Sequence, residues 1–97
     1  MRIFSRSVLR AFWTIHADAE APLKAWYDDV EKANWRSPHA VKSRYANASV
    51  LPDNRVVFNI RGNDYRVVVK IHYNTQFVYI RFIGTHHDYD AIDAETI

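Results

Sequence analysis

The side chains with chemistry to offer recur at alternate positions and then give way to a short titratable run. Arg55, Asn59 and Arg61, then Arg66, Lys70 and His72, then Tyr79 and Arg81 share one parity within each of three β-like stretches, and Gly84 is followed by Thr-His-His-Asp-Tyr-Asp at 85–90. Cations in such rows hold phosphates, while amides and aromatic rings can meet bases. The candidate polyanion contacts are therefore Arg55, Asn59, Arg61, Asn63, Arg66, Lys70, Tyr79 and Arg81. Proton transfer falls to His86, His87, Tyr89 or Asp90, because these groups can give, take or orient a proton near neutral pH.

Positioning these groups requires a sheet. Val56, Phe58 and Ile60, then Tyr65, Val67, Val69 and Ile71, then Val78, Ile80 and Phe82 fall on one face when each run is pleated with a period of two. That face is apolar and its opposite is basic, so the first packs a core and the second meets solvent or ligand. Leu51-Pro52-Asp53-Asn54 has turn chemistry, and Gly62-Asn63 suits a two-residue hairpin turn. Asn74-Thr75-Gln76 makes a looser turn, which gives an antiparallel meander.

Helices precede the meander. Met1 to Phe4 leans toward a strand. Val8, Leu9, Phe12 and Trp13, behind Ser5 or Ser7 as caps, form one stripe, and Leu23, Trp26, Tyr27 and Val30 form another. Ser37-Pro38 opens a short third turn through Val41 and Arg44. The aromatic residues of these stripes are expected to pack as core. The fold expected is α+β: one domain over 1–97, a small antiparallel sheet of three to four strands, and two or three helices on one face.

Composition narrows the chemistry. The chain has 97 residues and no cysteine, which excludes disulfides, thiolate metal sites and cysteine nucleophiles. Its two glycines cannot build a dinucleotide or P-loop motif, and adjacent His86 and His87 point apart in an extended chain, so neither a cofactor nor a metal is expected. No membrane-spanning run and no secretory leader pattern occur, consistent with a cytoplasmic protein without a membrane partner. The net charge of +2 conceals an uneven distribution: +2 over 1–54, +4 over 55–81 and −4 over 82–97. The acidic tail is expected away from the basic face, or capping a final helical turn.

The run VVFNIRGNDYRVVVKI, then IRFIGTHHDYDAIDA, with the earlier AFW, AWY and VKxxY segments, resembles the HigB family of RelE-like mRNA interferases. The resemblance covers nearly the whole chain. It implies a toxin that cleaves mRNA on the ribosome without a metal. The implied partners are mRNA on the ribosome and a cognate HigA-like helix-turn-helix antitoxin, with operator DNA reached only indirectly through that antitoxin.

Cleavage of this kind activates a ribose 2′-OH against the adjacent phosphate, so it needs a base, an acid and cations. Arg66 matches the Tyr-Arg of the family strand and, with Lys70 and Arg81, forms the expected phosphate platform. His86 matches the histidine of GTHxxYD and is the candidate acid or base, with Tyr89 for stacking or a second proton transfer and Asp90 as orienter. Arg55, Asn59, Arg61, Asn63, Tyr79 and His87 are the expected further RNA contacts. Strict alternation from Arg81 instead puts His87 on the basic side, unless the alternation breaks at Gly84. A non-catalytic basic binding module, or a ParE-like inhibitor of another target, is the alternative.

Overall fold

The alternating runs of the sequence become the centre of a five-stranded sheet in the order β1-β5-β4-β3-β2. A computed structural model describes residues 1–97. The strands are β1 (Arg2–Phe4), β2 (Ser49–Leu51), β3 (Arg55–Ile60), β4 (Tyr65–His72) and β5 (Phe77–Thr85). The helices are α1 (Arg6–Ile15), α2 (Glu20–Lys32), α3 (Pro38–Arg44) and α4 (His86–Asp90), with one 3₁₀ turn over Ala17–Ala19. No helix is long and apolar enough to cross a membrane.

The α+β class is as expected, but the sheet is larger than three to four strands and is mixed. β1 runs parallel to β5, pairing Arg2 with Phe77 and Phe4 with Tyr79, because α1 and α2 carry the chain across the sheet before the meander begins. β2 is only three residues long, too short for a period of two to be read. It joins β3 through a turn in which Asp53 and Asn54 both take left-handed conformations (φ 60° and 59°), which their short polar side chains tolerate. In the β3–β4 turn the Asp64 N–H donates to Arg61 O (3.2 Å) across Gly62-Asn63 and Gly62 is left-handed (φ 64°), as expected, while Arg61 is left-handed as well (φ 52°). Arg61 is held there by ion pairs to Asp64 and Asp18.

α1, α2 and α3 cover one face. Leu9, Trp13, Leu23, Trp26, Val30 and Val41 meet Val56, Phe58, Ile60, Val67, Val69, Ile71 and Val78 in one buried cluster. Phe58 is its hub, with the rings of Trp26, Tyr45 and Trp35 centred 5.4, 5.2 and 6.1 Å away. The helix aromatics are therefore packing residues.

Two features overturn the simple two-face picture. In β5 a bulge leaves Arg81 without a cross-strand partner, since Val68 pairs with Phe82 and Val69 with Ile80. Parity inverts beyond it. Phe82, expected in the core, emerges on the opposite face, and Ile83 packs against the core in its place. The second feature is the tail, which lies across the face expected to be open. Ala94 seals Val57 and Val68, with Leu51, Phe82, Tyr89 and Ile97 packed around them. Apolar side chains at 57 and 68, flanked by Leu51, are what the tail buries, so the acidic segment does not lie elsewhere, while the other expectation, that it caps a final helical turn, is met by Asp88 in α4.

Arg55 is caught beneath the tail. It is only 7% exposed, and its Nε and Nη2 donate to the main-chain oxygen of Ile97 (3.0 and 2.7 Å) while Nη1 donates to Asp53 (2.9 Å). Arg55 is thus not the exposed RNA contact expected, because it lies beneath the tail and three of its N–H groups are engaged there.

Glycine is required at position 84, next to the end of β5, because the helix that follows lies close above it. A methyl group there would stand 2.5 Å from Phe82 Cζ and 3.0 Å from Asp88 Cβ. Gly84→Ala should therefore displace the Phe82 ring or α4 and destabilise the protein by about 1–3 kcal/mol. A urea midpoint equal to that of the parent would show that the ring yields without cost.

Candidate active site

Where β4 and β5 meet α4, four of the candidate residues come together. Arg66 lies opposite Gly84 in the sheet register, so its side chain has a neighbour without a Cβ. The next residues turn into α4 through a capping box: Thr85 Oγ1 accepts from the Asp88 N–H (3.1 Å), and Asp88 Oδ2 accepts from the Thr85 N–H (3.3 Å). His86 thus stands at the first helical position, and its own N–H donates to Asp64 O (3.1 Å), tying α4 to the β3–β4 turn.

An Arg66 Nη2 faces His86 Nδ1 at 3.1 Å, and Nη1 donates to Asn63 O at 3.0 Å. A guanidinium can only donate, so Nδ1 must accept and the neutral ring carries its proton on Nε2. Nε2 lies 3.4 Å from Asp90 Oδ2, an ion-pair distance once the ring is protonated. The Arg66 guanidinium carbon lies 5.8 Å from the centre of the Tyr89 ring. One turn of helix therefore delivers His86 and Tyr89 to a single arginine and sets Asp90 against His86. His87 is exposed and makes none of these contacts. The break in alternation comes at Arg81 and then at the helix start, not at Gly84 alone.

The other expected residues lie apart. Lys70 is four residues along β4 from Arg66, about 13 Å away, and its Nζ pairs with Asp53 at 3.0 Å. The Lys70 ammonium, then Arg55, hold the Asp53 carboxyl below its ordinary range. Arg81 directs Nε to Ile97 O (3.4 Å). A continuous platform of Arg66, Lys70 and Arg81 does not form; tail and bulge separate them. Tyr79 packs on Phe4 with ring centres 5.1 Å apart, and on His72 at 5.0 Å. Arg61 is engaged by Asp18 and Asp64, and Asn63 is exposed in the turn. Asn59 lies opposite Arg66 in the register and donates from Nδ2 to Asn47 O (3.4 Å). No group of three or more His, Cys, Asp or Glu side chains is gathered where it could hold a metal ion.

A second constellation had no sequence signal. Asp29, on α2, accepts from the Tyr45 hydroxyl (2.6 Å) and from Arg44 Nη2 (2.9 Å). The Tyr45 hydrogen bond, aided by Arg44, holds the Asp29 carboxyl below its ordinary range, and burial followed by the same hydrogen bond pushes the Tyr45 hydroxyl up. The partners are 15 and 16 residues apart, so only the fold joins them. A carboxyl depressed in the folded state stabilises above its unfolded value and loses that contribution as pH falls through the depressed one. Asp29→Asn should therefore cost about 1–2 kcal/mol at neutral pH, with the difference from the parent closing below roughly pH 4. Urea melts across pH 2–7 check this; a pH-independent difference would mean the charge contributes nothing.

The HigB toxin family, described as the RelE-like toxic component of a toxin–antitoxin system, matches residues 19–92. The chain is also 26% identical over 96 residues to the mRNA interferase toxin HigB of Escherichia coli K12, covering 97% of this chain and 92% of that one. The mRNA interferase HigB proteins of Escherichia coli O157:H7 and Shigella flexneri match to the same extent. The matched span includes α2, the three long strands and α4, and with them every residue of the Arg66 cluster, so the chain belongs to the HigB family of RelE-like toxins of toxin–antitoxin systems.

Proposed function

We propose that this toxin is an endoribonuclease that cleaves mRNA on the ribosome and so inhibits translation, with the Arg66–His86–Tyr89–Asp90 cluster as its active site. The observation that carries the reading is the 3.1 Å approach of Arg66 to His86 Nδ1, because it couples a phosphate-binding cation to a group able to move a proton. The relatives' name, mRNA interferase, supports the reaction class.

In the free protein the Nδ1 lone pair is occupied by Arg66. A substrate phosphate competes for the guanidinium, since charge-assisted bonds to phosphate are stronger than a bond to neutral imidazole. Arg66 turns to the phosphate and Nδ1 is released as a base. It takes the proton of the 2′-OH, the 2′-oxygen attacks phosphorus, and the bond from phosphorus to the 5′-oxygen breaks. Asp90 stabilises the imidazolium that forms. Arg66 neutralises charge developing on the phosphorane, and the Tyr89 hydroxyl protonates the departing 5′-oxygen. The products are a 2′,3′-cyclic phosphate and a 5′-OH.

The site is an exposed corner of the sheet, which suits a polymer threaded past it. A cognate HigA-like helix-turn-helix antitoxin is the expected inhibitor, and operator DNA is reached only through that antitoxin. Purified protein added to translating ribosomes should cut mRNA and leave 2′,3′-cyclic phosphate ends, detected by end-specific ligation. Absence of cutting by the parent protein would overturn the reading in favour of a non-catalytic binding module.

A further inference from the structure

Two of the molecule's three recesses lie away from His86, along the outer edge of β3. β2 pairs only with Arg55, Val56 and Val57, so Phe58, Asn59 and Ile60 have no strand beside them on that side. The α3–β2 connection stands off from this edge and leaves a recess of about 310 Å³, with Arg44, Tyr45 and Asn47 on one wall and Phe58, Asn59 and Gly62 on the other. A neighbouring recess of about 280 Å³ shares Arg44, Tyr45 and Asn59 with it, so the two form one groove. Trp26 lines the second recess, and its buried indole N–H has no partner within the chain.

We propose that this groove is a second nucleotide subsite, which holds a nucleotide of the mRNA next to the one cleaved at Arg66. The inference rests on the reading of the chain as an RNA-cleaving toxin. Continuity is the first support. Asn59 is the register partner of Arg66, so the groove begins one strand from the phosphate clamp and lies roughly 10 Å from it across the sheet. That separation suits phosphates one or two nucleotides apart in an extended strand.

Chemistry is the second support. Arg44 is shared by both recesses, and its side chain is 61% exposed. Only its Nη2 is engaged by Asp29, which fixes the guanidinium and leaves its other N–H groups free for a phosphate. The amide of Asn59 makes one long hydrogen bond, to Asn47 O, and keeps an acceptor oxygen and a second N–H. An asparagine so placed can pair with a base edge in both directions. The combined volume suits a flat heterocycle. An acidic peptide would satisfy Arg44 and its main chain would pair with Asn59, so it is the continuity of the groove with Arg66 that favours RNA.

Cleavage of mRNAs trimmed one nucleotide at a time on either side of the cut, measured on programmed ribosomes, tests the proposal. Trimming on one side should lower the parent's kcat/KM about tenfold when the nucleotide that fills the groove is removed. Arg44→Gln and Asn59→Ala should each lose about tenfold in kcat/KM on the longer mRNA, mainly through KM, and lose nothing further on the trimmed one. Both sites are at least partly exposed, so both variants should keep the parent's urea midpoint within about 1 kcal/mol. Equal losses on every length would overturn the subsite, as would full cleavage by variants that have lost only antitoxin binding, which would make the groove a protein surface. A parent protein that cuts no mRNA of any length would instead remove the underlying reading.

Discussion

His86→Ala is expected to lower mRNA cleavage by about 10²–10⁴-fold, with the urea midpoint unchanged, whereas His87→Ala should stay within threefold of the parent. The two histidines are neighbours in sequence and differ in position by one helical residue, which is about 100° of rotation. That rotation decides their chemistry. His86 faces Arg66 through Nδ1 and Asp90 through Nε2, while His87 makes neither contact. Because the His86 side chain is about half exposed, its removal leaves no cavity and no buried partner stranded. Single-turnover cleavage of a defined mRNA on programmed ribosomes separates the chemical step from binding. Asp90→Asn should give a smaller loss than His86→Ala, since the carboxylate stabilises a charge it does not itself transfer. Comparable losses at 86 and 87 would mean that the helix is needed as a whole and that neither ring moves the proton.

Arg66→Ala is expected to cost about 10²–10³-fold, the magnitude seen when one donor to a developing oxyanion is removed. Lys70→Ala and Arg81→Ala should each cost less than about tenfold. The contrast follows from what the three cations already hold. Lys70 is paired to Asp53 about 13 Å from the histidine, and Arg81 faces the Ile97 oxygen across the bulge. Arg66 spends its bonds on the Asn63 and Tyr65 carbonyls and on a neutral imidazole nitrogen, all of which an incoming phosphate can displace. Arg66→Lys should recover only part of the rate, because an ammonium lacks the flat fork that reaches phosphate and ring together. The measurement is kcat and KM for each variant on the same mRNA. Equal losses for all three cations would restore a shared platform and argue that the tail lifts away when RNA binds.

The core face was legible because apolar residues at alternate positions leave a sheet few other arrangements, and the helix stripes because Leu9 and Trp13, then Leu23, Trp26 and Val30, recur at helical spacing. The opposite face was misread for an identifiable reason. Val57 and Val68 stood among cations in the same parity, and a row counted by its charges hid two side chains that demanded cover. The bulge at Arg81 carries no mark in the sequence either, since Arg-Phe-Ile continues a plausible strand. One missed signal was available: Thr85 and Asp88 are spaced as a capping box, which would have turned the histidines onto a helix instead of an extended edge. The Asp29–Tyr45–Arg44 cluster lay out of reach because its members meet only after α2 and α3 have packed.

The parallel pairing of β1 with β5 has a bearing on how the toxin is made. The first strand cannot dock beside its partner until the last one exists, and the residues proposed to move protons follow directly after that last strand. A chain still emerging from the ribosome that synthesises it therefore has neither a closed sheet nor an assembled Arg66 cluster, however much of α1, α2 and β3 has already formed. The order of the strands makes synthesis itself a period of harmlessness, which ends only as residues 77–90 join the fold.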